Sequence, residues 1–288
     1  MMRIHRLLLV LPVLVALAGC SKAIPTSPYT SDPGSTPGPV DPSMGRTRVL
    51  ITDAPGDFDA VNLVVEEVDA VGDAGTQVLF SGETTIDLLG LQNGVFATVA
   101  DQNLPVGHYS ELLLKIGTGS NVVVDGVTQT LKVPSSKLHL TGSFDVVPGV
   151  VSVLQLDFDA AASIKKAGSK YQLQPHIRVL SASEAGSITG LVAPAGTLAS
   201  VEVAQDGSQV GGTWANGDGT FKVAVLPAGT YCVTVRASTG DVAVVDGVVV
   251  TAGGTTSLGT ISFGSGGDGG SAPPPPPVRN PGGKVGNG

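Results

Sequence analysis

At 288 residues the chain has room for two domains, and its formal charge of −8 excludes nucleic acid, whose phosphates call for clustered Lys and Arg. With 40 glycines, 20 prolines and only 4% aromatic residues, it is a chain of many turns and small aliphatic side chains. Two cysteines leave no room for a disulfide framework.

The N-terminus has the order of an export signal. Arg3, His5 and Arg6 precede an apolar run from Leu7 to Ala18, and the small residue Gly19 stands before Cys20. That run is shorter than the roughly 20 apolar residues a spanning helix needs. Leu17-Ala18-Gly19-Cys20 resembles the bacterial lipobox, which implies a lipoprotein signal peptide over 1–19 and acylation of Cys20. Two or more acyl chains would hold the protein to a membrane, where one alone is marginal. Ser21 occupies the position at which Asp favours inner-membrane retention, so the resemblance favours the outer membrane, facing the periplasm or the cell surface. Cleavage would remove Arg3 and Arg6 with no acid and take the charge to −10.

Residues 20–45 carry Pro25, Pro28, Pro33, Pro37 and Pro39 among Ser, Thr, Gly and Asp. They hold too little apolar surface to offset the entropy of ordering, so a disordered tether is expected. Alternating apolar runs then predict strands. Arg48–Thr52 opens one, and Ala60–Val71 is another, its β-branched residues outweighing acids that would also suit a helix. Val122–Val133 reads as a hairpin, because Asp125-Gly126 accepts the positive φ of a primed turn. Pro148-Gly149 turns the chain into Val150–Phe158, and Ala160–Ala167 reads as a helical turn stopped by Gly168. After Ser183–Gly186 the pattern restarts, with strands at Ser187–Val192, Ala199–Ala204, Phe221–Val225, Tyr231–Arg236, Val242–Val250 and Ser257–Phe263. Residues 264–288, rich in Gly with Pro273–Pro277, are expected to be a disordered tail. The fold class is all-β, with two β-sandwiches in tandem at 46–183 and 184–263.

The second region resembles the carboxypeptidase regulatory-like family. The residues that carry the likeness are Gly186-Ser-Ile-Thr-Gly190, Asn216-Gly-Asp-Gly-Thr-Phe221, Leu226-Pro-Ala-Gly-Thr-Tyr231 and Val248-Val-Val-Thr-Ala-Gly253. It implies a transthyretin-like (prealbumin-like) sandwich, often grouped with carbohydrate-binding-like folds and lacking a peptidase site. Within it Asp218-Gly219 would turn a hairpin, and Gly229 would close the turn that brings Tyr231 to the core. The first region resembles the bacterial domain of unknown function family 4382, through Thr52-Asp-Ala-Pro-Gly-Asp57, Gly107-His-Tyr-Ser-Glu111 and Leu173-Gln-Pro-His-Ile-Arg178. That resemblance implies an envelope location and no assigned activity.

Candidate sites are few. Asp53, Asp57 and Asp59, near Asp157 and Asp159 if a sheet brings them together, are of the type that could hold calcium, which takes 6 to 8 oxygen ligands. Alternatively, Asp53 and Asp57 simply make the hydrogen bonds of the Pro-Gly turn they bracket. Trp214, with Asn216 and Asp218 of the following turn, is a candidate sugar-stacking site, or else a ring that covers a sandwich edge. His108, His139 and His176 are not at zinc-ligand spacing, and no nucleophile elbow occurs. Cys232, on a strand face with Thr234 and Arg236, reads as a packing residue. The expected role is a non-enzymatic, lipid-anchored binding or structural module whose partners are the membrane and a carbohydrate or envelope protein. Its alternatives are a carbohydrate-binding accessory lipoprotein that uses the second domain, and a hydrolase hidden in the first.

Overall fold

The computed structural model describes residues 41–54, 56, 58–134, 137–168 and 170–263. The signal peptide, Cys20, most of the tether, Asp57 and the 264–288 tail lie outside the described residues. Chain order gives β1 (Met44–Ala54), β2 (Ala60–Gly72), β3 (Gly75–Asp87), a 3-10 turn (Leu88–Leu91), β4 (Ala97–Pro105), β5 (Gly107–Ile116), β6 (Asn121–Val124), β7 (Val127–Lys132), β8 (Leu138–Val146) and β9 (Val151–Asp159). One helical turn, α1 (Ala160–Ser163), precedes β10 (Ile164–Ala167), β11 (Lys170–Leu173) and β12 (Ile177–Ser181). Then come β13 (Gly186–Ala193), β14 (Ala199–Gln205), β15 (Ser208–Trp214), β16 (Thr220–Leu226), β17 (Gly229–Ala237), β18 (Val242–Val250) and β19 (Thr255–Ser262). Among the described residues no helix is long and apolar enough to cross a membrane.

The strands form four sheets, ordered β12-β9-β1-β4, β10-β11-β7-β6-β2-β5-β8 with β3 on β2, β16-β13-β19, and β15-β14-β17-β18. Buried apolar side chains fall into two clusters. One runs from Val49 to Val179 between the first two sheets, and the other from Ile188 to Ile261 between the last two. The fold is all-β and built of sandwiches.

Why β2 is a strand despite its acids is visible in its partners. Leu63, Val65, Val68 and Ala70 are buried, while Glu66 pairs with Lys115 at 2.9 Å and Glu67 with Lys137 at 2.9 Å. The acids thus serve as cross-strand ion pairs. Asp125 (φ 55°) and Gly126 (φ 71°) close the β6–β7 hairpin in the left-handed region a primed turn requires.

Two expectations need correction. The helical turn expected over Ala160–Ala167 ends at Ser163, because Ile164–Ala167 pairs antiparallel with Lys170–Leu173, and Gly168 is a hairpin corner rather than a helix stop. Asp218-Gly219 does turn the chain, but between sheets: β15 lies beside β14 and β16 beside β13, so no hairpin forms there.

A six-residue pattern occurs once in each sandwich. Leu104-Pro-Val-Gly-His-Tyr109 and Leu226-Pro-Ala-Gly-Thr-Tyr231 share Leu-Pro-x-Gly-x-Tyr. In both, the ring is buried and the phenol donates to the carbonyl of the proline four residues back, at 2.9 Å from Tyr109 to Pro105 and 2.7 Å from Tyr231 to Pro227. This is the corner geometry with which sandwiches pin a strand entrance. Tyr109 also stacks on Phe144, its cross-strand partner, with ring centroids 5.1 Å apart.

Candidate functional site

β1 and β9 run parallel with Thr52 opposite Asp157, Asp53 opposite Phe158 and Ala54 opposite Asp159. This register gathers Asp53, Asp157 and Asp159 at one end of the first sandwich. Asp53 is buried, and one of its oxygens accepts the Ala160 amide at 3.1 Å. Its other oxygen is buried without a partner. Burial drives the Asp53 carboxyl well above the usual range; the Ala160 N–H pulls it down, and Asp157, Asp159 and Asp87 push it further up. The protonated acid is the form this environment favours.

Asp157 is held differently. Burial pushes it up to about 6, against the downward pull of the Arg178 guanidinium, which donates to its carboxylate. Arg178 lies on β12, opposite Asp157 in register, and its Nε is buried with no partner. Asp159 caps α1 by accepting the Ala162 amide at 2.7 Å.

Asp53 and Asp157 line a crevice between the two sandwiches. Thr52, Asp53, Asn93, Gly94 and Asp157 form one wall, and Gly212, Lys222, Val223 and Ala224 the other. Its free interior admits about one water molecule, far below the several hundred Å³ of a ligand pocket. Asn93 is the clamp. Held in the left-handed region at φ 59°, it donates its backbone amide to Thr213 Oγ1 (3.1 Å), and its Nδ2 to the Trp214 carbonyl (2.7 Å) and Asn216 Oδ1 (2.9 Å). Its Oδ1 accepts from Thr213 Oγ1 and the Lys222 amide, both at 3.2 Å. Sequence reasoning passed over Asn93; the Asn-Gly pair at 93–94 is a turn signal, but nothing in it names a partner some 120 residues away.

The remaining candidates are distributed as follows. Asp59 sits at the β6–β7 hairpin and accepts the Gly126 amide at 2.8 Å. Asp57 lies outside the described residues. Among the described residues no three His, Cys, Asp or Glu side chains converge to hold a metal. The donor set around Asp53 also suits calcium poorly, since Arg178 occupies Asp157 and Lys222 lines the same crevice. Trp214 is half-buried between the buried Thr213 and Ala215. Asn216 donates to Thr220 Oγ1 (3.0 Å), and Asp218 accepts from the Thr220 amide (2.9 Å) and hydroxyl (2.6 Å). The polar groups beside the indole are therefore engaged within the protein. His108 pairs with Asp145 at 2.8 Å and His139 with Glu111 at 3.0 Å, both on the surface. Cys232 is half-buried, and a hydrogen bond to Asp246 raises its thiol.

Residues 44–175 match the family model described as Domain of unknown function (DUF4382). The match covers most of the region expected at 46–183, and the family's description states no activity. No curated protein matches the chain. Similar solved structures include a minor pilin of Streptococcus agalactiae, at 12% identity over 78% of this chain and 100% of that one, with a TM-score of 0.21. A fimbrial protein from Bacteroides ovatus is 6% identical over 77% of this chain and 50% of that one, with a TM-score of 0.25. The Bacillus anthracis TIE protein is 12% identical over 76% of this chain, which spans 34% of it, with a TM-score of 0.22.

Proposed function

We propose that this chain is a lipid-anchored lipoprotein of the bacterial cell envelope, non-enzymatic, that serves as a structural or binding module through two β-sandwich domains. The Leu17-Ala18-Gly19-Cys20 sequence carries the reading, because its thiol is where an acyl anchor would be placed. The engagement of the polar side chains at the candidate sites supports a scaffold. Asp53, Asp159, Asn93, Asn216 and Asp218 each bond to the protein's own amides, carbonyls or hydroxyls. In the second sandwich, the buried Tyr231 on its Pro227 carbonyl and the turn at Gly219 (φ 89°) support the likeness to carboxypeptidase regulatory-like domains.

The test is metabolic labelling with an alkynyl fatty acid in a bacterium with a lipoprotein pathway, followed by membrane fractionation. Wild type is expected to take the label and to sediment with the outer membrane, and Cys20→Ser to take none and leave it. Equal sedimentation of the two without label would overturn the anchor. A second reading, carbohydrate binding, rests on the half-buried indole of Trp214 beside the Asn216–Gly219 turn. It requires that a glycan array retain wild type and lose Trp214→Ala.

A further inference from the structure

The end of the first sandwich opposite the crevice is apolar. Four valines there, Val106, Val147, Val150 and Val151, are each between 41% and 52% exposed. They come from two adjacent turns and the start of β9. Val106 stands between β4 and β5 and donates its amide to the Ser43 carbonyl at 2.9 Å, while Val147-Pro148-Gly149-Val150 links β8 to β9. The start of β1 joins them: Met44 pairs with Pro105, Arg46 with Val151, and the Val147 carbonyl closes over Gly45, 2.6 Å from where a Cβ would stand. No charge falls within Val146–Val153 or Asn103–Gly107. The nearest ionic groups are Arg46 and Arg48, paired with Asp101, His108, paired with Asp145, and the exposed Asp41, whose carboxylate accepts from the Ser43 amide and hydroxyl. Isolated exposed valines are ordinary; three on two neighbouring charge-free turns, with Val151 at the start of β9, make a patch.

The position of this patch indicates its partner. The chain enters the first sandwich at Asp41–Met44, within the same tip, and Cys20 lies 21 residues before Asp41. That stretch spans at most roughly 75 Å when fully extended. An anchor at Cys20 would therefore keep the tip within a short distance of the bilayer, at an effective concentration in the millimolar range. Under that condition weak apolar contacts suffice to seat it.

We infer that the valine tip of the first sandwich docks on the membrane that carries the Cys20 anchor, its two turns entering the boundary between headgroups and acyl chains; this rests on the anchor reading. The second sandwich, packed at the far end of β1, would then point away from the bilayer. β1 itself places about 33 Å between the tip and the crevice.

The experiment uses the full lipidated chain in phosphatidylcholine vesicles, with Cys232→Ala and an environment-sensitive fluorophore on either Val150→Cys or Val244→Cys, both exposed positions in the native fold. The Val150 probe is expected to shift to the blue and to lose at least half its emission when brominated lipid is included, while the Val244 probe keeps an aqueous spectrum. Adding Val147→Asp should reduce the Val150 quenching several-fold. Mass analysis of the N-terminal peptide separates the two ideas. An acylated protein whose Val150 probe stays aqueous overturns the docking alone, and a protein without acyl chains that stays off the vesicles overturns both. Equal quenching at both probes, or energy transfer between Val150 probes without lipid quenching, also overturns the docking, in favour of adsorption or self-association.

Discussion

Asp53 offers one oxygen to the Ala160 amide and keeps the other buried without a partner, with three more carboxylates raising the cost of its ionisation. An acid whose carboxyl is raised in the fold stabilises it most below its unfolded value, and that stabilisation is lost as pH rises. Asp53→Asn keeps an acceptor for Ala160 and cannot ionise. It should therefore raise the urea midpoint at pH 7.5 and leave it almost unchanged near pH 4, the difference growing by up to about 1.4 kcal/mol per pH unit above 4. Asp157 titrates in a narrower window: its contribution is full below about 3.8, falls as pH rises to about 6, and is level beyond that. Arg178→Met would strand the Asp157 carboxylate. The expected loss is on the order of 3 kcal/mol at pH 7.5 and clearly smaller at pH 5, where Asp157 takes up a proton; a loss independent of pH would show that Arg178 acts through packing alone. Part of this site is legible in the sequence. Arg48–Thr52 and Val150–Phe158 are legible as strands by alternation, but their parallel pairing is set by the sheet, and the bond of Asp59 to Gly126 by where the β6–β7 hairpin turns back.

The Leu-Pro-x-Gly-x-Tyr corners act at the level of single elements, each fixing where a strand leaves its turn. Removing the phenol oxygen takes one hydrogen bond from a proline carbonyl in each sandwich. Tyr109→Phe and Tyr231→Phe should each cost about 1 kcal/mol in denaturant titration. Because the rings sit in different clusters, the double variant should lose the sum. A coupling well above 0.5 kcal/mol would mean that the two cores are strained together. Strands flanked by Gly-bearing turns were readable for a physical reason: Asp125-Gly126 and Pro148-Gly149 fix a reversal locally, and alternation does the rest. β3, β5 and β15 carry weaker signals. β3 is mostly exposed, β5 alternates in an acid- and base-bearing run, and β15 holds two adjacent glycines, so composition alone does not lift them above loop. Ala160–Ala167 was half legible. Its small residues make one helical turn, but Lys165–Ala167 find a ladder on β11 that only tertiary pairing supplies.

At the scale of the whole molecule, the seam between the sandwiches rests heavily on Asn93, which bonds to Thr213, Trp214, Asn216 and Lys222 of the second. Gly94 beside it has φ 72° and approaches closely, since a Cβ there would come within 2.7 Å of the Lys222 side chain. Two cores joined by a clamp unfold together only while the clamp couples them. Asn93→Ala keeps the backbone bond to Thr213 Oγ1 but leaves the Thr213 hydroxyl without its acceptor and the Trp214 carbonyl, Asn216 Oδ1 and the Lys222 amide without this partner, and should cost on the order of 2–3 kcal/mol of coupling. In calorimetry the wild-type chain is then expected to show one cooperative transition, and Asn93→Ala two, or one clearly broadened. Asn93→Asp tests the geometry separately. It keeps the acceptor for Thr213 and Lys222 but loses the donor to Trp214, so an intermediate broadening is the expected result. A single sharp transition in both variants would place the coupling elsewhere in the seam, with Asp157 and Arg178 as the next pair to change.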